Sequence, residues 1–152
     1  MPADSFNPYD KNPYRVIPHP RTGEEHFAIF PEIRGRGFHF PEAPIYLYYG
    51  MDDRERNVGY GLVHIHARHY SHRSEQLVDV WLNICNVLAD VLSEGSAIHL
   101  DVQHQDRLVV IRTRENRRLI LKHLRSPDRY SIVTYFWADG SKRKGPYVGT
   151  FR

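Results

Sequence analysis

Cysteine is almost missing from this 152-residue chain. With Cys85 alone, no internal disulfide framework is possible, which points to a reducing compartment. Cys85 lies inside an apolar helical run, the setting of a buried structural thiol rather than a nucleophile. Long apolar runs are also lacking, so no membrane partner is expected. The opening residues MPADSFNPYD have neither the basic nor the apolar region of a signal peptide, and the expected location is cytoplasmic. There is no CxxC pair, no phosphate-cradling GxxxxGK, no GxSxG and no internal repeat. The common short signatures of zinc, nucleotide and serine-hydrolase chemistry are therefore unsupported.

What is present suits one globular domain with a real core: 41% hydrophobic and 26% charged residues. The aromatic share of 12%, with 10 Tyr, favours β-rich structure or a stacking surface. Charge is unevenly placed. Residues 1–57 carry 7 Lys/Arg against 9 Asp/Glu, whereas residues 105–152 carry 12 against 4. A basic C-terminal half on so small a domain suggests a polyanionic partner, nucleic acid being the commonest.

Residues 1–42 are rich in proline and read as an irregular arm with a disordered extreme N-terminus, HFAIF and GFHF being its only short strand candidates. APIYLYYG, from Ala43, is the first convincing strand, and MDDRERN a charged turn after it. Ser74 is a good N-cap for a core helix carrying Leu77, Trp81, Ile84, Leu88 and Val91 at helical spacing and ending near Leu92. After Gly95 the period changes to two, and residues 97–138 read as four successive strands in an antiparallel meander, with PYVGTF as a short fifth. The expected fold of residues 43–152 is α+β, with helices packed on one face of a four- to five-stranded antiparallel sheet.

Between strand and core helix stands GYGLVHIHARHY, Gly59 to Tyr70. Wound as a helix, it puts Leu62, Ile65, His66 and His69 on one side and His64 with Arg68 on the other. Either side brings histidine to the body of the protein, and imidazole exchanges protons near neutral pH. His99, His104 and His123 fall in strands or turns with no visible partner and read as structural.

The order of parts resembles a phage-associated branch of the ribonuclease superfamily that joins barnase, EndoU, colicin-type and RelE-type toxins. Gly59, Tyr60, Gly61, Leu62, His64, Ile65, Arg68 and His69 match its motif G-[FY]-G-L-x-H-I-x-x-[RK]-H, and Thr134 with Tyr135 match a later strand with a hydroxyl beside an aromatic. The likeness covers Ala43 to Gly140 and leaves the proline-rich arm unexplained. It implies helices on a four-stranded antiparallel sheet, a toxin-like endoribonuclease needing no metal and no cofactor, RNA such as tRNA or mRNA as substrate, and a neutralising antitoxin or immunity protein as partner.

The chemistry of the residues is compatible with that implication. Cutting RNA without a metal takes one group to accept the 2′-OH proton, one to protonate the leaving 5′-oxygen, and charge to stabilise phosphorus. His64 is first choice for proton transfer, with His69 or the extra His66 as partner. Arg68, Arg112 and Lys122 are candidates to hold phosphate. Thr134 or Tyr135 could bond the scissile phosphate, and Tyr135 could stack on a base. Arg118, Lys142, Arg143 and Lys144 extend the basic surface that would track the RNA backbone. Two rivals stand beside this reading. One is a non-catalytic nucleic-acid binder or an inhibitor of a host factor. The other is a metal protein using His64, His66 and His69, whose spacings of two and three depart from the four-residue spacing of helical zinc ligands. If the turn charges track phosphates, replacing Lys142, Arg143 and Lys144 together by Ala should lower the log–log salt slope of single-stranded RNA binding by about 2. An unchanged slope would make them plain solubilising charge.

Overall fold

Short runs punctuated by proline and glycine open the chain. In the computed structural model, which describes residues 12–70, 76–112, 117–138 and 145–151, they form β1 (Val16–Ile17), β2 (Ala28–Phe30) and a hairpin of β3 (Ile33–Gly35) with β4 (Phe38–Phe40). β5 (Ala43–Tyr48) alternates cleanly, burying Ala43, Ile45 and Leu47 and leaving Pro44, Tyr46 and Tyr48 half-buried. A second hairpin, β6 (Met51–Asp53) and β7 (Val58–Tyr60), leads into α1 (Gly61–His69). α2 (Leu77–Val91) carries Val80, Ile84, Cys85, Leu88 and Val91 into the core at helical spacing. The meander follows as β8 (Ala97–Leu100), β9 (Arg107–Arg112), β10 (Arg117–Leu124) and β11 (Arg129–Trp137), each antiparallel to the one before. β12 (Tyr147–Thr150) then pairs with β8.

These strands do not form the expected sheet. Among the described residues the main sheet has eight strands in the order β1–β5–β11–β10–β9–β8–β12, with β2 also on β5. β1 and β2 hold the two ends of β5 in antiparallel pairing, while β5 meets β11 in parallel. The described residues are mostly β, with a large mixed sheet and two helices, which overturns the expectation of helices packed on a four- to five-stranded antiparallel sheet. The physical reason lies in the first third of the chain. Strands of two or three residues are too short to display alternation, yet β1, β2 and β5 together extend the meander past its edge. The same first third contributes Ile17, Phe27, Phe30, Ile33 and Phe40 to the core cluster. Phe30 packs against Tyr130 with ring centroids 4.3 Å apart and meets Phe151 edge-on. Arg21 fastens the segment to α2 through Asn86 and Asp90.

The β10–β11 ladder carries a bulge. Ile120 opposes Thr134 and Leu121 opposes Ile132, so Val133 is an extra residue. Before the bulge Tyr130 and Ile132 face the core and Ser131 opposes Lys122 on the other face. Past it the parity reverses, so Tyr135 enters the core and Thr134 leaves it. Ser74, expected as the cap of the core helix, and the expected disordered N-terminal end lie outside the described residues; Gln76 precedes the first turn of α2. No helix among the described residues is long and apolar enough to cross a membrane.

Phe30→Ala should cost roughly 3–5 kcal/mol, the usual cost of removing a buried aromatic, measured by urea unfolding. A change of only about 0.5 kcal/mol would mean that this segment is an appendage and not part of the core.

Candidate active site

The site is built where the chain turns from β7 into α1. Gly61 adopts φ +80°, and a Cβ there would overlap the Tyr48 carbonyl oxygen. Gly59 is needed for a different reason: its Cβ would collide with the His64 ring at Nδ1. One glycine turns the chain and the other makes room for a histidine. The Val63 N–H donates to the Tyr49 carbonyl at 2.9 Å and ties the new helix to the end of β5.

Leu62 and Ile65 are fully buried, which turns His64 and Arg68, four residues apart, toward the β6–β7 hairpin. There Asp52 Oδ1 lies 2.7 Å from His64 Nδ1 and 2.9 Å from Arg68 Nε. Arg68 also donates to Asn57 Oδ1 at 3.0 Å. Asn57 sits in the left-handed region at φ 54°, a conformation asparagine tolerates, so the turn presents its amide to Arg68. The Asp52 side chain is only 8% exposed. Burial would raise its carboxyl, but the hydrogen bonds and charges of Arg68 and His64 outweigh burial and hold it below its ordinary value. An ionised carboxylate only accepts hydrogen bonds, so His64 Nδ1 must carry the proton that joins them. In the neutral ring the lone pair is then on Nε2.

His64 and Arg68 line a cleft of about 1170 Å³. Its floor is the outer face of the sheet, where Arg107, Lys122 and Ser131 stand directly opposite one another across β9, β10 and β11. Arg68, Arg107, Lys122 and Arg129 make the lining cationic, and no carboxylate is among the described residues that line it. Lys122 has Asp106 only at 3.9 Å, both side chains being about half exposed, and such a pair is worth little. Arg107 Nε is buried with no acceptor among the described residues. Tyr14, Tyr48, Tyr60, Met51 and Val58 line the cleft beside this cationic floor.

Of the residues singled out in the sequence, His64, His69, Arg68, Lys122 and Thr134 meet on this cleft. His69 Nε2 lies 3.5 Å from Thr134 Oγ1, a long contact. His66 is half-buried and is not part of the lining. Tyr135 is 2% exposed, in the core and away from the cleft. Arg118 is buried beside a separate, smaller depression with Asp101 and Phe136. Arg112 belongs to β9 by its backbone, while its side chain and all of Lys142, Arg143 and Lys144 lie outside the described residues. His99 and His123 bond the Gly145 carbonyl and Asp128, whereas His104, grouped with them in the sequence, lies on the cleft. Sequence reasoning missed Asp52, Arg107, Arg129, Ser131, Tyr14 and Tyr48, and matched Tyr60 to the motif without giving it a place in the site. Asp52 left no signal beyond a charged turn, because only the hairpin folds it back over α1. No group of three His, Cys, Asp or Glu suited to a metal ion occurs among the described residues.

Asp52→Ala should destabilise the protein by roughly 1–3 kcal/mol at neutral pH, since it takes the acceptor from two partly covered donors. The folded-state value of Asp52 is depressed, so its contribution is complete above the ordinary carboxylate range and is lost as pH falls through that depressed value. Urea unfolding of both proteins should therefore show curves that converge in acid. A gap that stays constant with pH would mean that Asp52 is not held ionised. Comparison of the chain with family models, with curated proteins and with solved structures finds no match.

Proposed function

We propose that this protein is an endoribonuclease that cuts RNA through the ribose 2′-OH, with His64 as the proton-accepting group and no metal required for the step. The observation that carries the reading is the Asp52–His64 pair set beside a cationic cleft. The motif's resemblance to ribonuclease toxins lends less support, because the sheet expected of that superfamily is not the sheet found. The cleft's own chemistry bears the weight.

His64 Nε2 takes the 2′-OH proton, O2′ bonds to phosphorus, and the bond from phosphorus to O5′ breaks. The leaving oxygen takes a proton from a second group, and the products are a 2′,3′-cyclic phosphate and a free 5′-OH. His69 and His104 are the other histidines on the cleft and supply the candidates for that second group. Arg107 and Lys122 stabilise the charge that builds on the phosphorane oxygens. Asp52 positions the His64 ring and fixes its tautomer, and Arg68 holds Asp52 in place. Thr134 and Ser131 offer hydroxyls along the floor.

The test is cleavage of total RNA in EDTA and in magnesium. RNA should be cut in both to leave 2′,3′-cyclic ends, and DNA should resist. A single deoxyribose on the 5′ side of a cut bond should abolish that cut. His64→Ala should lower the rate by roughly 10²–10⁴ with little change in RNA affinity. His69→Ala and His104→Ala identify the second group by which one falls comparably. A parent protein that binds RNA but cuts none in either condition would make this a binding module instead.

A further inference from the structure

The proposed activity leaves one feature of the cleft unexplained. A phosphodiester backbone needs cations and donors, yet part of the lining is apolar and aromatic. Met51 and Val58 are 40% and 50% exposed, and Tyr14 is 74% exposed. A water-facing cluster of this kind, joined to a cationic floor, marks a ligand with both an apolar and an anionic part.

Resting on the ribonuclease reading, we propose that the cleft is built for single-stranded RNA and rejects a duplex. One unpaired nucleobase stacks against the wall of Tyr14, Tyr48 and Tyr60, and the adjoining phosphate sits on the row of Arg107, Lys122 and Ser131.

The wall is held ready by the backbone. The Gly50 N–H donates to the Pro13 carbonyl at 2.9 Å and the Tyr49 N–H to the Arg15 carbonyl at 2.7 Å. These bonds clamp both sides of Tyr14 to the end of β5, so its exposed ring stands on fixed backbone. The Tyr48 hydroxyl accepts from Arg129 Nε at 3.3 Å, and the Tyr60 hydroxyl reaches the Pro13 carbonyl at 3.5 Å. All three rings line the cleft, and burial together with the Tyr14 and Tyr48 phenols raises the Tyr60 hydroxyl above its ordinary value. The backbone beneath Tyr14 therefore loses little entropy when a flat ligand lands there.

The row supplies the other half. Arg107 has no ion pair among the described residues, and its guanidinium is the planar fork that suits phosphate oxygens. Lys122 adds a point charge from the next strand and Ser131 a hydroxyl from the one after. A paired helix hides its base faces and offers only phosphate and sugar, so it gains from the row and nothing from the wall. A single strand uses both.

A short 2′-O-methyl RNA, which cannot be cut at its own riboses, separates binding from catalysis. Labelled with fluorescein and followed by anisotropy with the full-length protein, it should bind on the order of tenfold or more tighter as a single strand than annealed to its complement. Tyr14→Ala should weaken single-strand binding by about tenfold to a hundredfold and leave duplex binding alone, while Tyr14→Phe, which keeps the ring, should restore it. Arg107→Gln should weaken binding of both forms and lower the salt slope by about 0.7 for the single strand. Equal affinity for the two forms, no binding of either, or a silent Tyr14→Ala would overturn the proposal. Such a silent substitution in a protein that still cuts RNA would spare the ribonuclease reading. Binding as described without any cleavage would sink that reading and leave this one standing.

Discussion

The Asp52 carboxylate is the point on which the site depends. A carboxylate this deeply covered is expensive to desolvate, and it persists because two donors converge on one of its oxygens. The consequences run outward through the chain. The β6–β7 hairpin must fold back far enough to bring Asp52 over α1, and Asn57 makes the turn and takes the far end of Arg68. Gly59 must lack a side chain, because the imidazole occupies that space. Leu62 and Ile65 must be apolar, because their burial sets the rotation of the helix that presents His64 and Arg68 to the hairpin. Gly59, Gly61, Leu62, His64, Ile65 and Arg68 thus each have a structural reason that is independent of any catalytic one. The catalytic reading adds only that the second ring nitrogen is put to use.

The opposite wall depends on a different constraint, the parity of a β-ladder. A regular β11 would place Thr134 with Tyr130 and Ile132 in the core and turn Tyr135 outward. The extra residue at Val133 exchanges them. A large aromatic then fills the core, and a hydroxyl comes to lie beside His69. Bulges are common next to working sites because they re-aim one side chain without unpairing the strand, and this one does so where helix and sheet meet.

These two constraints also explain what the sequence could disclose. The core helix was legible because Ile84, Leu88 and Val91 repeat at a period that nothing else produces. The meander was legible because RLVVIRTR and RRLILKHL alternate. Strands of two and three residues have no period to read, so β1 passed unseen among prolines and HFAIF and GFHF stood only as short candidates. The joining of β1, β2 and β5 to the meander, which sets the width of the sheet, left no mark. His64 could be singled out from its motif and its side of the helix. Asp52, twelve residues earlier in a charge-dense turn, could not, since such turns are normally solvated. Nothing within RLVVIRTR separates Arg107 from Arg112 until the register with Lys122 is known. Thr134 and Tyr135 could not be told apart either, because a bulge leaves no mark in composition.

The register itself carries the last step. Arg107 and Lys122 are directly opposed on neighbouring strands, and like charges so placed destabilise a sheet by about 0.2–1 kcal/mol. A carboxylate at either position, or across at Ser131, would relieve that repulsion and complete an ordinary cross-strand ion pair. The chain instead leaves Asp106 at 3.9 Å in the preceding turn, at the edge of useful range, and gives Arg107 no counterion among the described residues. A fold in which local rules otherwise agree tends to break them where a ligand completes the balance. An anion on this row would turn the repulsion into shared attraction, as a phosphate does between two cations. If RNA occupies this row as proposed, the bound polyanion should add to the folding free energy by mass action.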